Sequence, residues 1–383
     1  MKAKQLLRLI PAERLEFLAV ESKVDTQVKK LDGVTMFQLI LHSMLHSDKA
    51  SLRVMETIFH SMQFKMISGL VKETTKFNSI RDRIATINSH FFEKIFSSVF
   101  DTFNEFFQEE TEIVRYDSTM IAISSKLVKW GMKVGSKTDK VQMKYTIGMK
   151  GSFPCHVKIF DQPEALCEDK TIPAAILENT DKNNCVVVFD RGVQKRKAWI
   201  KLTDENISFV TRIKTDVRYR VVIENEIAGS SEESTVVIQE DIIVQLMDGN
   251  GKWLNNEFRL VKATIVKSNS PIYFLTNIKD VGADEVAAIY KRRWDIEVLF
   301  KFLKQHLNLS HIMVRNENGI RVMIYMTLIL SILLIAYKKL NKISSYKITK
   351  LMFSNDLETE IVREIVIICG GNPNKMKHLF NDS

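Results

Sequence analysis

Along the first hundred positions, apolar residues recur at three- and four-residue spacing. GVTMFQLILHSMLHS, LRVMETIFHSM and SIRDRIATINSHFFEKIFSSVFDTFNEFF each gather their hydrophobic side chains on one helical face. Residues 1–108 therefore read as helical, with Asn78-Ser79 capping the last helix and Asp82 in its first turn. At Thr111 the pattern changes to short β-rich runs: EIVRYDST, QMKYTIGM, CHVKIF, CVVVFD and ISFVTRIK. TIPAAILENTDKN, between the third and fourth, suits a short helix. Strands first, then alternation with helices, predict a mixed α/β sheet. From 216 to 270, RYRVVI, STVVIQ, DIIVQLM and RLVKATIVK, broken by turn-rich AGSSEES and DGNGKW, predict a separate β-rich insertion. IYFLTNI returns to a strand, and GADEVAAIYKRRW opens a long helix. The last 60 residues or so read as helical and basic.

One segment tests the assumption of a water-soluble chain. Val322 to Tyr337, VMIYMTLILSILLIAY, is sixteen nearly continuous apolar residues. That falls short of the roughly 20 needed to cross a bilayer, so a buried core helix is expected and no membrane partner. The N-terminal apolar run is too short for a signal peptide.

Composition adds a little. Of 383 residues, 45% are hydrophobic and 26% charged, which excludes a disordered chain. The formal charge of +9 favours a polyanionic partner, nucleic acid first among them. Lys65, Lys72, Lys76, Arg81 and Arg83 cluster in the helical region, as a DNA-binding head requires, although each alone also fits a solvated surface. Cys155, Cys167, Cys185 and Cys369 form no CxxC pair; Cys185 and Cys369 lie in apolar runs and read as core residues. His42 and His46 stand one helical turn apart with no third ligand in view, and read as structural.

The chemistry concentrates in the helix IYKRRWDIEVLFKFLKQHL, Ile289 to Leu307. With Tyr290 at 0° and about 100° per residue, Arg293 falls near 300°, Glu297 near 340° and Lys304 near 320°. Ile289, Ile296, Leu299 and Leu303 form the core-facing stripe, with Trp294, Val298 and Phe302 on the other flank. An Arg293–Glu297 helix pair is worth only a few tenths of a kcal/mol and leaves Tyr290 and Lys304 unexplained. A carboxylate flanked by cations suits a site for metal and phosphate together. Two further acids end apolar strands: Asp117 after EIVRY and Asp190 after CVVVF. Acids just past strands sit at the sheet edge where α/β active sites lie, although turns also select Asp.

Asp117, Asp190 and Glu297 together resemble the DDE triad of bacterial insertion-sequence transposases. YDST and FDRG resemble that family's motifs at the two aspartates. Tyr290, Arg293, Glu297 and Lys304 match its Y-(2)-R-(3)-E-(6)-K signature in full. The resemblance spans Asp117 to Lys304; on either side it rests on layout alone. It implies an RNase H-like mixed-sheet core with helices, interrupted by a β-rich insertion, between helical N- and C-terminal regions. The implied division is a DNA-binding region at 1–108, the catalytic core at 109–215, the insertion at 216–270, the core's final strand and Glu-bearing helix at 271–320, and a helical region at 321–383 contributing to dimerisation.

The resemblance further implies a Mg²⁺-dependent endonuclease and strand transferase with two ions, Mn²⁺ serving as a substitute. Asp117 would be the shared ligand, with Asp190 and Glu297 each holding mainly one ion. Arg293, Lys304 and Tyr290 would hold DNA phosphates. Arg191, which follows a ligand, and Arg212 and Lys214 on VTRIK are weaker DNA-binding candidates. The partners implied are transposon terminal inverted repeats, target DNA and a second copy of the chain, in the bacterial cytoplasm and on the nucleoid. Some relatives form hairpin ends and stack a flipped base on a tryptophan opening the last strand. PIYFLTNI has none there, so no residue takes that role. Two rivals stand beside this reading. Another RNase H-like nuclease would have no need of the Y-R-E-K stripe. A catalytically inactive, transposase-like DNA-binding protein would have no need of all three acids.

Overall fold

The computed structural model describes residues 2–28, 30–47, 50–108, 112–123, 132–133, 141–160, 162, 166–179, 185–227, 235–307, 309, 314 and 316–375. The N-terminal region is helical: α1 (Ala3–Leu7), α2 (Ala12–Glu21), α3 (Gly33–His46), α4 (Leu52–Phe59), α5 (Met62–Ser68), α6 (Phe77–Thr86) and α7 (Ser89–Phe107). The single long helix expected from Ser79 onward is in fact two. Ile87 leaves helical space, and Asn88 caps α7 by accepting from the His90 N–H at 3.1 Å. α6 opens at Phe77 behind Lys76, so Asn78 and Ser79 lie inside the helix and not at its cap. Of the basic cluster, Lys72, Lys76 and Arg81 are exposed. Arg83 has structural work: it donates to the carbonyls of Leu31 (2.7 Å) and Val24 (2.9 Å) and pairs with Asp25 (3.0 Å).

The sheet is mixed, with ten strands among the described residues. They are β1 (Ile113–Ile123), β2 (Met132–Lys133), β3 (Val141–Lys150), β4 (Phe153–Phe160), β5 (Val186–Phe189), β6 (Ser208–Ile213), β7 (Tyr219–Glu224), β8 (Val236–Met247), β9 (Trp253–Ile265) and β10 (Ser270–Thr276). β4, β3 and β1 pair antiparallel, while β1, β5 and β6 pair parallel. Parallel neighbours need crossovers, and α8 (Glu168–Asn179) and α9 (Arg196–Asp204) precede β5 and β6. This order, β4-β3-β1-β5-β6, is RNase H-like. The 216–270 segment is β-rich as read. Its strands do not stand apart but lengthen the same sheet, since β9 pairs with β10 and β10 with β6. Arg259 on β9 and Asp241 on β8 form a buried two-bonded pair at 2.8 and 2.6 Å. Arg259 also donates to the Val281 carbonyl at 2.6 Å, tying these strands to the lead-in of α10 (Ala283–Lys291).

α11 (Trp294–His306), α12 (Glu317–Leu340) and α13 (Tyr346–Ile368) complete the chain. α12 holds the apolar run. It has the length and composition to cross a membrane, yet 94% of its apolar window is buried by the protein itself. It packs on α7, α6, β4 and α13. Asn318 at its start donates to the carbonyls of Ile84 (3.2 Å), Ala85 (3.3 Å) and Ile87 (2.6 Å), satisfying the open end of α6. One apolar core joins the helical head, α11, α12 and side chains of β1, β3 and β4. A second lies under α8 and α9, and a third under α10. Cys155 is buried, whereas Cys369 is exposed and not a core residue.

Candidate active site

β1 carries alternating roles. Val114 and Tyr116 enter the core under α8 and α9. Arg115 is wholly buried and reaches Asp295 on α11 at 3.1 Å, with a second bond to the Gly151 carbonyl. Parallel pairing of β1 with β5 ends at Arg115 and Val188. Two residues beyond each partner stand Asp117 and Asp190. Asp117 is therefore not at the end of its own strand, as the sequence suggested. β1 continues past it against β3, and the strand that ends is β5. The two acids still meet at the carboxyl edge of the parallel pair.

Each aspartate is steadied by a backbone N–H: Ser118 to Asp117 Oδ1 at 2.7 Å, and Gly192 to Asp190 Oδ1 at 2.9 Å. Burial pushes the Asp117 carboxyl up to about 7. The Ser118 N–H works against this, the neighbouring Asp190 charge adds to it, and Arg293 opposes it.

The Glu-bearing helix is not continuous. Between α10 and α11 the chain makes three-residue hydrogen bonds: Arg292 N to Ile289 O (3.2 Å), Arg293 N to Tyr290 O (3.0 Å), Asp295 N to Arg292 O (3.1 Å) and Ile296 N to Arg293 O (3.3 Å). This 3₁₀ turn winds tighter than an α-helix. The core stripe read from the sequence nevertheless survives the turn, with Ile289, Ile296, Leu299 and Leu303 all buried. Trp294 and Val298 lie off that stripe and are exposed, at 63% and 42%, so they do not cover a core flank. Phe302 is buried and stacks on Tyr346 at 4.0 Å.

Arg293 and Glu297 remain together as an ion pair. The Arg293 guanidinium lies 5.9 Å from the Tyr290 ring centre. Tyr290 is buried against Phe274 of β10 with ring centres 5.3 Å apart, and burial pushes its hydroxyl up. Asp190 and Arg212 both act electrostatically on that hydroxyl. Arg212 sits opposite Phe274 in the β6–β10 register. Asp117, Asp190, Arg212, Tyr290, Arg293 and Glu297 thus share one neighbourhood. Lys304 lies two turns further along α11, exposed, with its ammonium 5.8 Å from the Phe300 ring centre. Arg191 and Lys214 are exposed, the second just past β6.

Sequence reasoning missed Lys144 and Glu168. Lys144 on β3 is buried, with its ammonium 3.9 Å from Glu168 Oε1 and 3.3 Å from the Leu166 carbonyl. Burial pushes the Glu168 carboxyl up, and Asp190 adds to the shift. A Cβ built on Gly192 would lie 1.6 Å from Glu168 Oε2 and 2.9 Å from Asp190 Oδ1, so both carboxylates crowd that glycine. The available signal was a lysine inside the apolar run QMKYTIGM: a buried cation needs carboxylates nearby.

Among the described residues, no three His, Cys, Asp or Glu side chains form a ready cation cage. The donor set nevertheless fits a hard divalent ion. The Asp190 charge raises the cost of ionising Asp117, which a cation would relieve. Glu297 is one helical turn from Arg293, the positive group that now faces Asp117.

The family model described as "Transposase DDE domain" matches residues 108–333. A protein of Synechocystis sp., named as a transposase for insertion sequence element IS4SA, is 31% identical over 229 residues, covering 59% of this chain and 60% of its own. A protein of Sinorhizobium fredii named as transposase y4zB is 27% identical over 229 residues, covering 60% and 61%. A third, from Geobacillus stearothermophilus and named for element IS5377, is 22% identical over 219 residues, covering 57% and 54%. The matched stretch thus spans little more than half the length of these curated relatives.

Proposed function

The chain belongs to the transposase DDE domain family, and from that premise we propose that it is an insertion-sequence transposase. It binds terminal inverted repeats, cleaves DNA at the transposon ends and joins the freed 3′-OH to target DNA. The observation that carries this reading is the meeting of Asp117 and Asp190 at the end of β5, with the Arg293–Glu297 pair facing them.

In this reading Asp117, Asp190 and Glu297 are the residues that would hold two Mg²⁺ ions. When bound, the ions make the attacking oxygen a stronger nucleophile and stabilise the leaving oxygen. Arg293 exchanges part of its contact with Glu297 for a DNA phosphate near the cut. Its fixed charge then offsets the phosphate charge in a partly dry site. Tyr290, packed against the tilted ring of Phe274, donates its hydroxyl to a phosphate. Burial keeps that hydroxyl protonated, as a donor must be. Arg212 adds a cation beside it. Lys304, two turns on, grips the strand further along, and Arg191 and Lys214 extend the basic rim. Lys72, Lys76 and Arg81 on the helical head hold flanking duplex through its phosphates. Two ends must be cut in concert, so a pair of protomers acts on DNA.

The test is purified protein with Mg²⁺ and DNA carrying the sequences that flank its gene. End-specific cutting that is lost in Glu297→Gln while binding persists is the expected result. Binding to the ends with no cutting, in Mg²⁺ or Mn²⁺, would favour an inactive DNA-binding protein. Undiminished cutting by the variant would remove Glu297 from the site.

A further inference from the structure

We infer that the first turn of α8 brackets the two aspartates, with Asp169 and Thr171 as positioning residues that fix Asp190 relative to Asp117. The inference rests on reading those aspartates as metal ligands.

Asp169 Oδ1 accepts two consecutive backbone N–H groups, from Gln194 at 2.5 Å and Lys195 at 2.6 Å. Those residues lie on the loop that leaves Asp190. Two residues later, Thr171 is fully buried, and its hydroxyl is 3.4 Å from that of Ser118. Ser118 follows Asp117 directly and donates its N–H to the Asp117 carboxylate. Its hydroxyl also bonds Thr146 on β3 at 2.7 Å. One helical turn therefore touches the chain just after each aspartate.

The turn itself is anchored. The Lys144 ammonium holds the Leu166 carbonyl and faces Glu168, and it rises from β3, the strand paired with β1. Gly192 provides the clearance, since any Cβ there would collide with Glu168. A flexible loop after β5 would leave Asp190 free to swing. The Asp169 bonds hold that loop from the outside, without touching substrate or the reacting atoms. Such supporting groups commonly govern metal affinity by about 10–100-fold on removal.

The experiment uses the full chain without DNA and reads Mn²⁺ affinity by electron paramagnetic resonance, with amide exchange of the 190–195 peptide in parallel. Asp169→Ala is expected to weaken Mn²⁺ binding about tenfold and to speed exchange at 194 and 195. Asp169→Asn keeps an acceptor oxygen and should restore most of the affinity. Thr171→Val, nearly isosteric, should weaken binding a few-fold with the thermal midpoint little changed; it and Asp169→Asn carry the test if Asp169→Ala fails to fold. Unchanged Mn²⁺ affinity in both Asp169→Ala and Thr171→Val overturns the bracket, as does equal loss in Asp169→Ala and Asp169→Asn. Asp190→Asn separates the two failures: Mn²⁺ binding indifferent to it overturns the ligand reading beneath the inference, whatever the exchange data show.

Discussion

Arg115 and Asp295, bonded at 3.1 Å, each stand two residues ahead of a candidate ligand: Arg115 before Asp117 on β1, Asp295 before Glu297 on α11. The pair couples the strand carrying one acid to the helix carrying another. Arg115 is fully buried, whereas Asp295 is half exposed, so removing Asp295 strands a buried cation that keeps its bond to the Gly151 carbonyl. Asp295→Ala is expected to cost roughly 1–3 kcal/mol of stability by chemical denaturation. DNA cleavage should fall further than that loss explains. Cleavage equal to wild type in the folded variant would show that the coupling does not set the position of Glu297.

Asp190→Asn and Glu297→Gln should each lower the cleavage rate by about a thousandfold or more. The double variant should be no worse than either single, because residues acting as one unit are not additive. Filter binding to end DNA should change little. Rates that multiply in the double variant would argue against a shared site.

Asp117 titrates unusually, and the sign is definite. Its carboxyl ordinarily ionises near 3.8 and is pushed up to about 7 in the folded protein, by burial first and by Asp190 second. The folded state binds that proton more tightly, so the contribution to stability is full below the ordinary value and is lost as pH rises through about 7. Asp117→Asn should therefore stabilise the metal-free protein at pH 8 by about 2–4 kcal/mol and leave it unchanged near pH 3.5. Mg²⁺ should stabilise the wild type at pH 8 and not the variant. A difference between the two proteins that stays flat across pH in thermal melts would refute the assignment.

His42 runs the other way. Burial, and secondarily His46 with its ring centre 3.9 Å away, lower its pKa to about 4. The unfolded chain takes up the proton near 6.5, so stability is full above that pH and is lost as pH falls toward 4. His42→Leu should flatten the loss of stability in that interval by about 3 kcal/mol. A pH profile parallel to wild type would rule this residue out as the acid-sensitive group.

The sheet was legible because its strands announce themselves locally. CVVVFD and ISFVTRIK have one reading, and β5 and β6 lie where they put them. The four-residue helix signature was legible for a related reason: its spacing is short enough that a 3₁₀ turn does not separate Arg293 from Glu297. What escaped was long-range. Nothing near Asp117 says that β5 stops beside it, and nothing near Glu168 says that Lys144 lies across from it. Trp294 was misassigned because an apolar side chain off the core stripe is covered only if another element packs over it, which a helical wheel cannot show. Membership of the insertion strands in the main sheet is likewise decided by pairing between β9 and β10, which no local pattern encodes.

The buried state of α12 also constrains how the molecule is made. Of its partners, α6, α7 and β4 precede it in the chain and α13 follows. During synthesis the first 316 residues leave the ribosome with an apolar groove and the last carbonyls of α6 waiting for Asn318. Until α12 arrives, head and sheet expose surface that favours association with other chains. A message truncated within this helix is therefore expected to yield a chain prone to aggregation or proteolysis.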